Sequence, residues 1–356
     1  MFDTARELRR MVVHKAMLRP TTKDLALAAG VSRATVDRVL NRRDGVQKKT
    51  IDRVNQAIDE LGFVRNLQAA NLAKSQNYRF IFALPKSGDQ FLEQIKQRIA
   101  EAGPVFAEDN IWCDVQQIDD NDPHSISTYL SSLTQNDVAG IAIMSPETPQ
   151  VRDAITRLQE RGIAALPFVS NQTMMDADWV GVDNRAAGAT AGLLLGQFAG
   201  HCEGSVLVIS ESMQSRDSLE RRLGFDQELN DSFPHLRALP SLETYGNEGR
   251  ARLIIANSFQ TNKDIVGIYV MASEARIPLS IVGELGLDPN IIKIAHERTP
   301  FTEAALRQRS LDGVIAQDAG HLVRSAIRRL KGIVDRRKTL KSQENIRIEI
   351  LLRTNI

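Results

Sequence analysis

The chain has 356 residues, 42% hydrophobic and 25% charged, with 2 cysteines and a formal net charge of +1. At about 100–200 residues per domain this predicts two or three domains, and the ordinary composition excludes a disordered chain, a collagen or a coiled-coil rod. No apolar run approaches the roughly 18 residues of a membrane-spanning helix, and two cysteines cannot build a disulfide framework or a four-cysteine zinc site.

The start of the chain lacks a signal peptide's apolar core, so the expected location is cytoplasmic. The small net charge hides an asymmetry. Residues 1–79 hold 16 Lys and Arg against 8 Asp and Glu, while the rest hold 29 against 36. A basic head on an acidic body suggests that the head meets a polyanion; a basic tail or a solvated helix face is the plainer alternative.

Taken in chain order, Thr22 is the expected N-cap of a helix ending at Ala29, and Gly30 supplies a tight turn. Ser32 is placed to cap a second helix over about 33–40. There Val36, Val39 and Leu40 fall at inward spacing, and Arg33, Ala34, Asp37 and Arg38 take the opposite face. A third helix over about 48–61 is expected to bury Ile51, Val54, Ile58 and Leu61 and to end at Gly62. Two short helices joined through Ala-Gly-Val make a helix-turn-helix, whose second helix suits the major groove. An arginine at its exposed start can fork onto guanine O6 and N7.

These residues resemble the lactose/galactose repressor (LacI/GalR) family. The resemblance is carried by Lys23-Asp24-Leu25-Ala26, Ala29-Gly30-Val31-Ser32, Ala34-Thr35-Val36, Arg38-Val39-Leu40-Asn41, Val46 and Ala57 to Phe63. It implies DNA contacts from Thr22, Ser32, Arg33, Ala34, Thr35, Asp37, Arg38 and Asn41. It also implies a hinge after the third helix, with Asn66, Ala69 and Leu72 on the operator and Leu72 wedged into the minor groove. The family's usual Ser is Asp37 here. Its usual hinge Pro is Arg65, and its usual Arg after Ala69 is Ala70.

From Tyr78 onward, apolar runs (Phe80–Leu84, Val138–Met144, Ile163–Val169, Ser205–Ile209, Ile265–Val270, Ile291–Ala295, Gly313–Ala316) alternate with helical stretches at about 89–102, 147–161, 185–200, 215–231, 248–261 and 301–309. Alternation of this kind predicts βαβ units and parallel sheets. About 275 residues exceed one comfortable core, so two lobes are expected, with a ligand crevice at the carboxyl ends of the strands. Dinucleotide-binding, P-loop, nucleophile-elbow and zinc-protease signatures are absent, so no enzyme, metal site or cofactor is expected.

The body also resembles the family's effector domain, a relative of periplasmic sugar receptors, through Trp179 to Gly188, Arg221 to Phe225, Val266 to Tyr269, His296-Glu297 and Ala316-Gln317-Asp318. The implied class is α/β: an all-helical head plus a two-lobed parallel-sheet body. Expected bounds are 1–62 for the head (1–20 being an extension), 63–78 for the hinge and 79–356 for the body. The first lobe is expected at about 79–183 and 319–340, the second at about 184–318 and 341–356.

The resemblance implies effector contacts from Arg221, three before Gly224, with Arg222 as the in-register competitor. It adds Gln317, His296 and Glu297 at a strand end, and Asp89 with Phe91, whose ring either stacks on a ligand or packs in the core. Ser170 and Asn171 stand where an acidic-basic pair is usual, and Val270 where Asn is usual. Asp183-Asn184-Arg185 is either a ligand loop or a helix cap.

The functional expectation is a DNA-binding regulator, a repressor, working as a homodimer or dimer of dimers on double-stranded operator DNA. It is expected to be nucleoid-associated, with no membrane partner. Its effector is a sugar, polyol or sugar acid. The alternatives are a vestigial or protein-binding effector domain, or an α/β enzyme with a fused head.

Overall fold

The computed structural model describes residues 20–40, 44–63, 77–86, 88–119, 121–172, 179–337 and 339–356. The chain divides into two units, Met1–Gln76 and Asn77–Ile356.

In the first unit, α1 spans Thr22–Ala29, α2 Arg33–Leu40 and α3 Lys48–Leu61. The cap of α1 is Thr21 rather than Thr22. Its side chain accepts from the Asp24 backbone while Asp24 reaches back to the Thr21 backbone, a reciprocal capping box that leaves Thr22 as the first helical residue. Gly30 ends α1 in the left-handed region at φ +60, where a side chain would be strained. From α3, Arg53 donates to Ala29 O at 2.6 Å and to Gly30 O at 2.8 Å, tying the third helix to the turn.

Leu25, Ala26, Ala29, Val36, Val54, Ala57 and Phe63 form the core, with Val39, Leu40 and Ile58 packed against it. Leu61, expected inside, is exposed, and Ala57 takes the inward position one turn earlier. Phe63 is thus part of the head's core rather than the start of a hinge.

In the second unit, a four-stranded parallel sheet of order β2-β1-β3-β4 contains β1 (Tyr78–Pro85), β2 (Ile111–Ile118), β3 (Gly140–Ile143) and β4 (Ala164–Pro167). Three helices are threaded through it: α4 (Gln90–Ala107), α5 (Pro123–Ser132) and α6 (Pro149–Glu160).

The chain then crosses to a second sheet. Its opening elements are α7 (Asn184–Ala199), β5 (Gly204–Ser210), α8 (Arg216–Ser232), β6 (Leu236–Ala238), β7 (Leu242–Glu243) and α9 (Glu248–Thr261). They are followed by β8 (Ile265–Val270), α10 (Arg276–Glu284), β9 (Ile292–His296), α11 (Pro300–Arg307) and β10 (Gly313–Ala316). The order is β11-β10-β9-β8-β5-β6, with β7 beside β5. All pairs are parallel except the last: β11 (Glu349–Leu351) runs antiparallel to β10.

Helix α12 (Ala319–Val334) returns to the first lobe, where Leu322, Val323, Ala326, Ile327 and Leu330 share a core with Phe80 and Phe82. The short α13 (Lys341–Glu344) stays there too. Buried Glu344 accepts from Ser325 and from both Nε and Nη2 of Arg328, at 2.8 and 2.9 Å. The last crossing therefore comes after Glu344, later than residue 340.

One packing feature positions the site. Helices α7 and α8 approach so closely that a Cβ on Gly188 would lie 1.9 Å from Arg221 O, and one on Gly224 would lie 1.9 Å from Arg185 O. Only hydrogen fits at these crossing points. The close approach sets the start of α7 against Arg221.

Candidate functional site

On the head, Arg33, Ala34, Asp37 and Arg38 are exposed along one side of α2, while buried Val36 faces inward. Ser32 Oγ accepts from Thr35 N at 3.1 Å and lies 2.9 Å from Thr35 Oγ1, so the two hydroxyls cap the helix start. Arg33, Arg38, Lys48 and Lys49 are exposed and make no ion pair among the described residues. Asn41, Asn66, Ala69 and Leu72 lie outside the described residues, as do Arg42, Arg43, Arg65 and Ala70.

In the second unit, the polar side chains converge at the carboxyl ends of the strands. After β1, Asp89 caps α4 by accepting from Leu92 N at 2.6 Å, and its other oxygen accepts from Ser273 Oγ, beyond β8, at 2.6 Å. This hydrogen bond joins the two lobes. At the rim Glu147, beyond β3, accepts from Arg152 at 2.7 Å and from Arg216 of the other lobe at 3.0 Å.

Beneath these contacts lies a buried network. Arg221 donates through Nε to Asn184 Oδ1 at 2.9 Å, through Nη1 to Met271 O at 2.7 Å and through Nη2 to Glu297 Oε1 at 3.2 Å. Gln317 Nε2 donates to the same Glu297 oxygen at 3.0 Å. Glu297 follows β9 at φ +65, a conformation uncommon for a residue with a Cβ. It is held there by its own N–H bonding Ile315 O at 2.9 Å and by Thr302 Oγ1 donating to its carbonyl at 2.9 Å.

Burial pushes the Glu297 carboxyl up to about 6 against the pull of Arg221 and the Gln317 amide, and Asp89 adds to the rise. His296 bonds Tyr269 Oη at 2.7 Å, and burial, then Arg221, hold it well below the usual histidine range, so the ring is neutral.

Across the cleft, buried Gln172 donates to Ser145 O at 3.3 Å. Next to it, Val169 sits at φ +64 while Ser170 N bonds Phe168 O at 2.8 Å, a tight three-residue turn that is strained for a β-branched side chain. Four buried atoms at these strand ends have no hydrogen-bond partner among the described residues: Ser145 Oγ, Gln172 Oε1, Glu297 Oε2 and Gln317 Oε1. Buried polar groups are normally paired, so four unpaired atoms at the carboxyl ends of two sheets mark a ligand cradle.

Residues 80–338 match the periplasmic binding protein domain family, and residues 21–66 match the bacterial regulatory proteins of the lacI family. The chain belongs to the periplasmic binding protein domain family and carries a LacI-family helix-turn-helix.

Among similar proteins, the HTH-type transcriptional regulator RegA of Clostridium saccharobutylicum is 34% identical over 136 residues, 38% of this chain and 39% of RegA. The HTH-type transcriptional repressor PurR of Klebsiella pneumoniae is 27% identical over 221 residues, 60% of each chain. The chain thus spans about two-fifths to three-fifths of the length of these relatives. A periplasmic solute-binding protein of an ABC transporter from Actinobacillus succinogenes, with bound D-allose, shares the fold at TM-score 0.69 and 14% identity, covering 78% of this chain and 98% of that one.

In this periplasmic-binding-protein-type body, Asp89, Arg221, His296, Glu297 and Gln317 come together, from segments more than 200 residues apart in sequence. Arg222 turns away to Asp226 at 2.7 Å, Leu239 O at 2.8 Å and Ser241 Oγ at 2.9 Å, so of the two arginines it is Arg221 that joins the buried network.

Other expectations change. Phe91 is buried in the first lobe's core with Phe80 and Phe82, because α4 needs an apolar residue in its first turn to sit on the sheet. It is no stacking platform. Val270 is fully buried in the second lobe's core as the last residue of β8, and the contact from that strand end is instead the Met271 carbonyl. Ser170 and Asn171 are half-buried at the end of β4, where Asn171 Oδ1 accepts from Gln172 N at 2.7 Å.

The sequence reading missed Ser145, Gln172 and Ser273 altogether and left Asn184 undecided. Asn184 carries the one available signal, a polar residue just after a capping Asp and ahead of the α7 glycines. Among the described residues no group of three or more His, Cys, Asp or Glu is placed to hold a metal ion. No helix there is long and apolar enough to cross a membrane.

Proposed function

We propose that this chain is a sequence-specific transcriptional regulator, a repressor, whose operator affinity is set by a small polar metabolite held between the two lobes of the body. The observation that carries the reading is the pairing, in one chain, of an exposed arginine-bearing helix face with a cradle of four unpartnered buried polar atoms. The first suits phosphates and base edges. The second favours a working pocket over a vestigial one, because an unfilled buried acceptor costs about 1–3 kcal/mol and a polar ligand offsets that cost.

Arg33, Ala34, Asp37 and Arg38 read the major groove, and Ser32 and Thr35 set the helix start against phosphate. Thr22 and Asn41 flank the groove, while Asn66, Ala69 and Leu72 carry the hinge. The protein acts as a homodimer on a pseudopalindromic operator, in the cytoplasm and on the nucleoid, and catalyses no reaction. By linkage, ligand and operator change each other's affinity by one factor, typically worth about 1–3 kcal/mol.

The experiment is a fluorescence-anisotropy titration of the full chain on duplexes selected from a random library. A saturable preference for one pseudopalindromic sequence over its scrambled version is expected. Equal affinity for both contradicts the reading.

A further inference from the structure

We infer that the cleft's ligand is a hydrogen-bond donor without negative charge, a hydroxyl- or ammonium-bearing compound, and that sugar acids and sugar phosphates are rejected. This narrows the ligand class and rests on the reading of the cleft as an effector site.

Three buried side chains in the cleft each keep one end free. Glu297, Gln317 and Gln172 are 2%, 3% and 1% exposed. Gln317 uses its Nε2 on the Glu297 carboxylate and Gln172 uses its Nε2 on the Ser145 carbonyl. Both partners only accept, so flipping either amide would set oxygen against oxygen. The free end of each amide is therefore its carbonyl oxygen. With Glu297 Oε2, that makes three acceptors without partners among the described residues, joined by the Ser145 hydroxyl, which can act either way.

Part of the donor set that would greet an anion is already committed. Arg221 points its Nε, Nη1 and Nη2 at Asn184, the Met271 carbonyl and Glu297. In this setting it is a positioning residue: it holds the Glu297 carboxylate so that Oε2 stays free.

Charge agrees with the donor count. The floor holds two acids, Asp89 and Glu297, and one guanidinium, while His296 is neutral and bonded to Tyr269. At the rim, Arg216 and Arg152 are matched by Glu147 and Glu220. An anion would meet a net negative floor with little water to screen it, where like charges are far more costly than in bulk solvent. A hydroxyl or ammonium would instead fill the vacant acceptors.

The test is thermal shift of the full chain at near-neutral pH with matched sets on one carbon skeleton. Suitable sets are D-glucose, D-glucosamine, D-gluconate and D-glucose 6-phosphate, with the galactose series and the pentoses treated alike. A low-molecular-weight cell extract, fractionated on anion exchanger, serves as the broad probe. The expected stabilising compounds and fractions are neutral or cationic, and calorimetry on each hit gives a Kd at least tenfold tighter than its acid or phosphate counterpart. Stabilisation by an anionic member while its neutral and amino counterparts stay silent overturns the inference and leaves the effector site standing. Silence of every compound and every extract fraction removes the effector reading itself, and this inference with it.

Discussion

The reading helix and the cleft floor both rest on arginine and use it in opposite ways. Arg33 and Arg38 on α2 are exposed and pair with no acid among the described residues, which leaves their charge to meet a polyanion from outside the chain. Arg221 on α8 is buried, with three nitrogens already bonded, one of them to a buried carboxylate. The first kind of arginine can be removed without disturbing the fold. The second is part of the fold, and whatever it contributes to sensing passes through the groups it holds.

The largest effect is expected from Arg221→Ala. Removing one partner of a buried ion pair strands the other, at a cost of about 3–5 kcal/mol. A large fall in melting temperature is expected, and an unchanged one would show that Glu297 does not depend on Arg221.

Next in size is Gly224→Ala. The added methyl would lie 1.9 Å from Arg185 O, a backbone atom that cannot swing aside. Overpacking of this kind costs about 1–3 kcal/mol. Denaturant unfolding should show that loss, together with weaker ligand binding as α7 carries Asn184 away from Arg221. Full stability would mean that the helices part freely.

A pH series sharpens the account of the floor. Glu297 has its carboxyl raised from 4.5 to about 6, so the unfolded chain ionises first as pH rises. Its contribution to stability is fully present below about 4.5 and is lost as pH climbs through 6. The melting-temperature difference between wild type and Glu297→Gln should therefore drift against wild type across that window. A flat difference would place the carboxylate in water.

The smallest effect separates neighbouring threonines on the head. Thr21→Ala removes a capping side chain and should cost about 1 kcal/mol, while Thr22→Ala should cost far less. Hydrogen exchange of the α1 amides reads this directly, and equal effects would remove the capping box.

Legibility of the sequence follows the same division. The head is local: Gly30, Ser32 and Val36 signal turn, cap and core within seven residues, and α2 falls where the pattern puts it. The parallel strands with apolar runs were visible, since burial on both faces leaves a continuous signal. Strand β2, Ile-Trp-Cys-Asp-Val-Gln-Gln-Ile, was not, because an edge strand keeps only its two ends buried. Helix α10 was hidden by Pro278 in its first turn.

In the cleft, Arg221, Glu297 and Gln317 could be named because they stand at strand ends or beside a marked glycine. Gln172 and Ser145 could not, since only the meeting of β3 and β4 makes them neighbours. Val270 misled because a strand end and a core position differ by a single residue, and Phe91 because the first turn of α4 lays its ring onto the sheet.

The most direct test of the proposed DNA-reading role of the head is the salt dependence of operator binding by the full chain. Arg33, Arg38, Arg42, Arg43, Lys48 and Lys49 are six cations able to displace counterions from phosphate. They predict a log–log slope of roughly −5, flattened by about one unit in Arg38→Ala with no change in melting temperature. A slope near zero, or an Arg38→Ala variant that loses stability and keeps its slope, would contradict the account.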